Sequence, residues 1–172
     1  VEDLLDITRI IQKKVVLNKE VVSLNTIIND AVLDIMPQFE KKSIQLLKYI
    51  CDKPIAVNGD PLRITQCIVN VLKNALKFTK ENGTVSISLC SDEKYAIVEI
   101  QDNGIGISPE MLPVIFEPFK QDNKASNAFH NMGVGLGLAI VKDYMELHDG
   151  EVTASSPGIG KGSLFTMRLP VL

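Results

Sequence analysis

The sequence predicts an α+β fold, a two-layer sandwich in which a mixed sheet packs on three helices. The main observation is the order of elements: helix, helix, hairpin, helix, hairpin, and not the regular strand–helix alternation of a doubly wound sheet. A second is composition. The chain has 172 residues, 45% of them hydrophobic, with a formal net charge of −3, enough for one well-packed domain and a short appendage and too apolar for a disordered chain. A third is that period-3.6 and period-2 apolar patterns occupy separate segments, with no internal repeat and no low-complexity stretch.

Taken in order, Val1, Leu4, Leu5, Thr8, Ile11 and Val15 recur at spacings of three and four, the stripe of an amphipathic helix over residues 1–16 that ends near Asn18. So short a helix is marginal alone, and the expected partner is another helix, from a second chain or from the main domain. Val21–Leu24 reads as a strand. Asn25 is the expected cap of a helix whose apolar face is Ile27, Ile28, Ala31, Ile35 and Phe39. Strands follow at Ile44–Ile50 and Ile55–Val57. Asp60 before Pro61 is a helix start in both respects, and the periodicity runs to Phe78. Thr84–Cys90 and Tyr95–Gln101 alternate around a turn at 91–94, a hairpin signature. A polar stretch, 117–132, leads to a glycine-rich turn and a helix from about Gly135 to His148. Strands at Glu151–Ser155 and Ser163–Leu169, joined by the loop 156–162, close the chain. The domain boundaries expected are 1–18 for the appended helix and 19–172 for the main domain.

Several function classes are disfavoured. The basic residues are scattered and the net charge is mildly negative, so there is no electrostatic footprint for nucleic acid. Cys51, Cys67 and Cys90 stand far apart without paired spacing, which points to reduced thiols in a cytosolic setting and not to a disulfide or zinc framework. No apolar run approaches the roughly 18 residues of a membrane span, and the start lacks a secretion-signal pattern. A chain that opens on Val1 already in helical pattern reads as a piece of a longer protein, whose membrane anchor, where it has one, lies upstream.

Three motifs carry chemistry. On the helix 60–79, Asn70, Lys73, Asn74 and Lys77 share one face, with Ile68, Val71, Leu72 and Ala75 roughly opposite. Asparagine is a poor helix former. An amide oxygen can coordinate Mg²⁺ without adding charge and lysines can neutralise phosphate, so the face suits a metal–nucleotide complex; a merely solvated face is the competing reading. The second motif, Asp102-Asn103-Gly104-Ile105-Gly106-Ile107, is either an ordinary turn or a strand-end carboxylate that accepts from an exocyclic amine such as that of adenine, with Gly104 and Gly106 giving the backbone close approach. The third, Gly133-Val134-Gly135-Leu136-Gly137-Leu138, opens a helix and so presents backbone amides to phosphate. Its alternating glycines are not the dinucleotide fingerprint.

In this order the motifs resemble the four boxes of the sensor histidine kinase catalytic domain. Residues 60–79 resemble the N box, Asp102–Ile107 the G1 box, Phe116–Phe119 the F box and Gly133–Leu138 the G2 box, while Val1–Leu17 is similar to the last helix of that family's dimerisation domain. The resemblance implies the Bergerat ATP-binding fold, shared with type II topoisomerases, mismatch-repair ATPases and heat-shock chaperones. Those ATPases carry a water-activating Glu four residues before the metal-binding Asn. Here that position is Asn70, which cannot act as a general base, so the resemblance is to the kinase branch.

By resemblance, ATP and Mg²⁺ are the cofactors. Asn70 and Asn74 are implied as the metal ligands, Asn70 and Lys73 as catalytic groups, and Lys77 as facing phosphate. Asp102 selects adenine beside Phe78, Gly104, Gly106 and Ile107. Gly133, Gly135, Leu136 and Gly137 line the phosphate turn, and 117–132 form an ATP lid with Lys124, seated on the core by Phe116 and Phe119. Three departures stand out: Val134 replaces a frequent hydroxyl, the lid holds Lys120 and Lys124 but no Arg, and His148-Asp149-Gly150 replaces a frequent His-Gly-Gly. His130 and His148, the only histidines, lack the phosphoacceptor context. His130 is expected to face solvent in the lid, and His148 to favour the helix dipole. The acceptor is expected upstream of Val1. The implied function is a cytoplasmic domain that transfers the γ-phosphoryl group of ATP to a histidine on the dimerisation domain of a homodimeric parent, for onward transfer to the receiver domain of a response regulator. The alternative is a regulatory ATP- or ADP-binding module without transferase activity. Less favoured are an ATPase, which Asn70 argues against, and a serine kinase of the same fold.

Overall fold

Among the residues that the computed structural model describes, 2–12, 15–121 and 135–172, four helices and seven strands follow one another. They are α1 (Glu2–Ile11), β1 (Glu20–Ser23), α2 (Leu24–Lys41), β2 (Gln45–Ile50), β3 (Ala56–Gly59), α3 (Pro61–Phe78), β4 (Thr84–Ser91), β5 (Tyr95–Asp102), α4 (Gly137–Leu147), β6 (Glu151–Ser155) and β7 (Ser163–Pro170). The five-stranded sheet runs β2-β4-β5-β7-β6, with β2 and β4 parallel and the other neighbours antiparallel. Strands β1 and β3 pair apart from it as a two-stranded antiparallel ribbon. Helices α2, α3 and α4 pack on one another and on the sheet, which is the α+β sandwich expected, a mixed sheet on three helices.

Alternation sets the layers. Val85, Ile87 and Leu89 of β4, Ala96, Val98 and Ile100 of β5, and Phe165, Met167 and Leu169 of β7 are all buried, as period-2 side chains on one sheet face must be. The turn between β4 and β5 closes on Asp92, whose Oδ1 accepts from the amides of Lys94 at 2.8 Å and Tyr95 at 2.7 Å, a local Asx turn. On α2, Ile27, Ile28, Ala31, Ile35 and Phe39 are buried as the pattern requires. Its cap is Ser23, which accepts from the Thr26 amide, and not Asn25. Asn25 instead uses its amide on the β2–β3 loop, donating to the Cys51 carbonyl at 2.9 Å and accepting from the Ile55 amide at 2.9 Å.

The amino-terminal helix is shorter than its stripe and turned over. It ends at Ile11, and residues 15–19 have no regular structure, because Val15 and Leu17 leave the helical path to pack on the core. Leu4, Leu5 and Ile11 are 48%, 53% and 74% exposed, whereas Asp6 is only 7% exposed. Asp6 faces the domain, while Leu5 sits half-exposed at the rim of a groove against α3.

His148 also differs from the dipole-partner expectation. It is 3% exposed; its Nε2 accepts from the Asp60 amide at 2.9 Å and its Nδ1 lies 2.6 Å from the Tyr144 carbonyl. One nitrogen accepting and the other donating defines the neutral imidazole. Burial holds its pKa below the ordinary histidine value, against the opposing pull of the Tyr144 carbonyl. A charged form that is disfavoured in the fold gains nothing from a helix dipole.

A depressed histidine pKa stabilises the fold fully above the unfolded value of about 6.5 and loses that contribution as pH falls towards the folded pKa. Urea unfolding of the wild type should therefore weaken between pH 7 and 5 more than that of His148→Gln. His148→Ala, which strands the buried Asp60 amide and leaves a cavity, should cost about 3 kcal/mol at pH 7.5.

Candidate functional site

Helix α3 packs on α2 and on α4 and lies over β5, burying Ile64, Cys67, Ile68, Val71, Leu72 and Ala75. Its start is fixed by Asp60, whose Oδ1 accepts from the amides of Leu62 at 3.1 Å and Arg63 at 3.3 Å, with Pro61 in the first turn. What remains open is the strip with Asn70, Lys73, Asn74 and Lys77. Of these, Asn74 and Lys77 line, with Phe78, an open cleft. Its far wall is Ile105, Gly106 and Ile107 after β5, and Gly135 and Leu138 at the start of α4.

One end of the cleft, at Ser163 in its lining, backs onto a clamped carboxylate. Asp102, the last residue of β5, is 5% exposed; its Oδ1 accepts from the Gly104 amide at 2.8 Å and its Oδ2 from the Ser163 hydroxyl at 2.6 Å. Burial pushes its pKa above the usual carboxylate range, and the donors Ser163 and Gly104 pull the other way. Two loops cross here. The Ile105 amide donates to the Phe78 carbonyl at 3.1 Å, the Gly160 amide to Ile105 at 2.7 Å and the Gly162 amide to Gly104 at 3.1 Å. A Cβ at Gly104 would run into the Phe78 carbonyl, and Gly106, at φ 70°, faces the Gly158 carbonyl in the same way. Loop 156–162 and Ser163 belong to the site, and their mark in the sequence is the alternation Gly158, Gly160, Gly162, which repeats the glycine spacing of the Asp102 and Gly133 motifs.

The other end is cationic and rich in amide groups. The Lys77 ammonium sits 4.8 Å from the Phe78 ring centroid, with its pKa lowered by burial, and Lys120 joins it in the lining. The Asn70 Nδ2 donates to the Gly137 carbonyl at 3.3 Å, tying α3 to the start of α4 and leaving Oδ1 for another partner. Leu136 stands at the N-cap of α4 and supplies no side-chain bond, so the first-turn amides are not capped by it. Gly135, at φ 76°, accepts from the Phe119 amide at 2.9 Å. Phe116 packs edge-on against Phe165 at 6.2 Å, whereas the Phe119 side chain is 61% exposed. Lys73 is exposed and lines a different groove, against α1. Lys124, His130, Gly133 and Val134 lie outside the described residues.

Residues 59–172 match the family described as histidine kinase-, DNA gyrase B-, and HSP90-like ATPases. The chain belongs to this family. Among curated relatives it is 32% identical over 172 residues to the sensor histidine kinase RcsC of Escherichia coli, covering 99% of this chain and 18% of that protein. It is 33% identical to the sensor protein GacS of Pseudomonas syringae pv. syringae, covering 99% of this chain and 19% of that protein. The chain thus spans about a fifth of the length of these relatives. Among solved structures, the catalytic domain of the histidine kinase ThkA superposes with a TM-score of 0.78 at 25% identity over 89% of this chain and 95% of that one. Full-length ShkA in complex with AMPPNP gives 0.84 at 24% identity over 99% of this chain and 35% of that one, a likeness of fold. Within this family the chain is an α+β ATPase-fold domain, with α1, β1, α2 and β2 in front of the matched residues. No described helix is long and apolar enough to cross a membrane.

Ser163→Ala removes a donor that favours the ionised form of Asp102, so the carboxyl pKa should rise further. Carboxyl-carbon NMR titration of Asp102 reads this directly, and an unmoved midpoint would show that Ser163 does not hold the carboxylate.

Proposed function

We propose that this domain binds Mg²⁺–ATP in the α3–α4 cleft and passes the γ-phosphoryl group to a histidine on a dimerisation domain outside this chain, from which a response regulator receives it. The observation that carries the reading is the clamped Asp102. A buried carboxylate held by Gly104 and Ser163 keeps lone pairs for an exocyclic amine, and the glycine segment after it lines the cleft at Gly106.

The residues fit the phosphate half as well. Lys77 and Lys120 line the cleft, and α4 begins without a side-chain cap, an arrangement suited to oxyanions. Among the described residues no group of three or more His, Cys, Asp or Glu side chains could hold a metal ion. A hard cation here would depend on the amide oxygens of Asn70 and Asn74 together with oxygens of the nucleotide. Bound Mg²⁺–ATP supplies the transferable phosphoryl group and the charge neutralisation around it. The chain's part is to orient and shield: Asp102 fixes one end, Lys77 offsets charge at the other, and Asn70, where a water-activating carboxylate would stand in an ATPase, offers no base to water. Catalysis by position needs little more. The relatives, sensor kinases of several kinds including hybrid ones, support a homodimeric parent with a receiver-domain partner. Lys73, exposed beside α1, belongs in this reading to the approach of the acceptor and not to the nucleotide.

Asp102→Asn should weaken ATP binding about 100-fold in calorimetry, as loss of hydrogen bonds to a charged group implies, with the fold intact by circular dichroism; wild-type affinity would sink the adenine assignment. Asn74→Ala should flatten the Mg²⁺ dependence of binding. Mixing the domain with a histidine-bearing dimerisation fragment and labelled ATP should place acid-labile label on that fragment, whereas tight binding without transfer would favour a nucleotide-sensing module, and steady ADP release by the domain alone an ATPase.

A further inference from the structure

Helix α1 presents a buried carboxylate to the domain. Asp6 meets α3 and α4 at once. Its Oδ2 accepts from the Gln66 Nε2 at 2.8 Å, and the Arg63 guanidinium approaches both of its oxygens at 3.4 and 3.5 Å. Arg63 is held in turn by the Gln66 Oε1 at 2.9 Å and by the face of Tyr144 of α4, 5.0 Å from the ring centroid. The Tyr144 hydroxyl is buried beside the same carboxylate. A second fixing point lies just beyond the helix, where the Asn18 amide donates to the Asp60 Oδ2 at 3.0 Å.

An apolar contact would let a short helix slide or roll with little change in energy. A buried carboxylate facing two directed donors is satisfied in one register only, and setting a register is the best-attested use of buried charge. The donors are also well placed to transmit that register. Gln66 and Asn70 are one turn apart on α3, about 6 Å, and the groove between α1 and α3 is lined by Asp6, Arg9, Gln66, Asn70 and Lys73. Asn70 at its end is the side chain bonded to the start of α4.

We propose that Asp6 is a positioning residue: its carboxylate latches α1 to Arg63 and Gln66 in one register, and thereby sets where the chain upstream of α1 stands relative to the phosphate end of the cleft. The role rests on the phosphotransfer reading, since only a transfer to a group upstream requires it; the latch itself does not. Breaking it leaves Arg63 without its carboxylate and α1 free to roll, while Asp102, Lys77 and the glycine loops are untouched.

The test uses the parent protein that includes the upstream acceptor. Asp6→Ala should slow the gain of label on histidine about 10-fold at saturating ATP, leave the KM for ATP within about 2-fold, and remove hydrogen-exchange protection from residues 4–11. The charge exchange Asp6→Arg with Arg63→Asp should recover both rate and protection in part, which a loss of folding could not. A labelled wild type with an Asp6→Ala variant of unchanged rate overturns the positioning role, and unchanged protection in that variant overturns the latch. A wild type that labels no histidine sinks the phosphotransfer reading and the positioning role with it, while the exchange data still decide the latch.

Discussion

The carboxylate and amide of Asp60 hold together three parts of the chain that are far apart in sequence. The side chain caps α3 through the amides of Leu62 and Arg63 and holds the Asn18 amide of the amino-terminal segment, while the backbone amide donates to His148 at the end of α4. At 5% exposure such a group is tolerable only because its partners are all present. Once α3 is fixed there, its apolar stripe can seat between α2 and α4, and the stripe decides which face is left for chemistry. The placement of Asn74 and Lys77 over the cleft is therefore a consequence of packing, set a few turns away from where they act.

The surroundings of Asp102 depend on a different constraint, close backbone approach. Segment 103–107 and loop 156–162 hydrogen-bond through main chain at Gly104, Ile105, Gly160 and Gly162, and side chains at the glycines would force them apart. Ser156 fastens the crossing from the side, accepting from the Ile107 amide at 3.0 Å and donating to the Gly162 carbonyl at 2.7 Å. The sheet contributes as well. In the antiparallel pairing of β5 with β7, Asp102 lies opposite Ser163, so the hydroxyl that clamps the carboxylate is delivered by register and not by a mobile loop.

What could be read in advance follows from the range over which each cue acts. Helix α3 was legible because its cap, its proline and its stripe are all local, and the β4–β5 hairpin because its turn is four residues long. The sheet order was not, since nothing local says that β7 inserts between β5 and β6 or that β1 seeks β3. Asn25 and His148 were misread for the same reason. Each is a good local cap or dipole partner, and each was claimed by a stronger long-range bond, to the β2–β3 loop and to Asp60. Asp102 was found through its glycine neighbours, while Ser163, 61 residues later in the chain, had only a faint glycine alternation to mark it. Asp6 was hidden by the leucines around it, because a stripe tells which residues are apolar and not which way the helix is turned.

That inversion of α1 bears on how the two ends of α3 work together. The first turns of the helix, Asp60, Arg63 and Gln66, hold the amino-terminal segment through polar contacts, and the later turns carry Asn74 and Lys77 on the wall of the cleft. Had α1 buried its leucines on the domain, that segment would be part of the core and its register would matter only for stability. Because a carboxylate among directed donors holds it, its hold is specific in register. One helix thus carries both a wall of the cleft and the seat of the amino-terminal segment, which allows position at one to be felt at the other without any change in the sheet beneath.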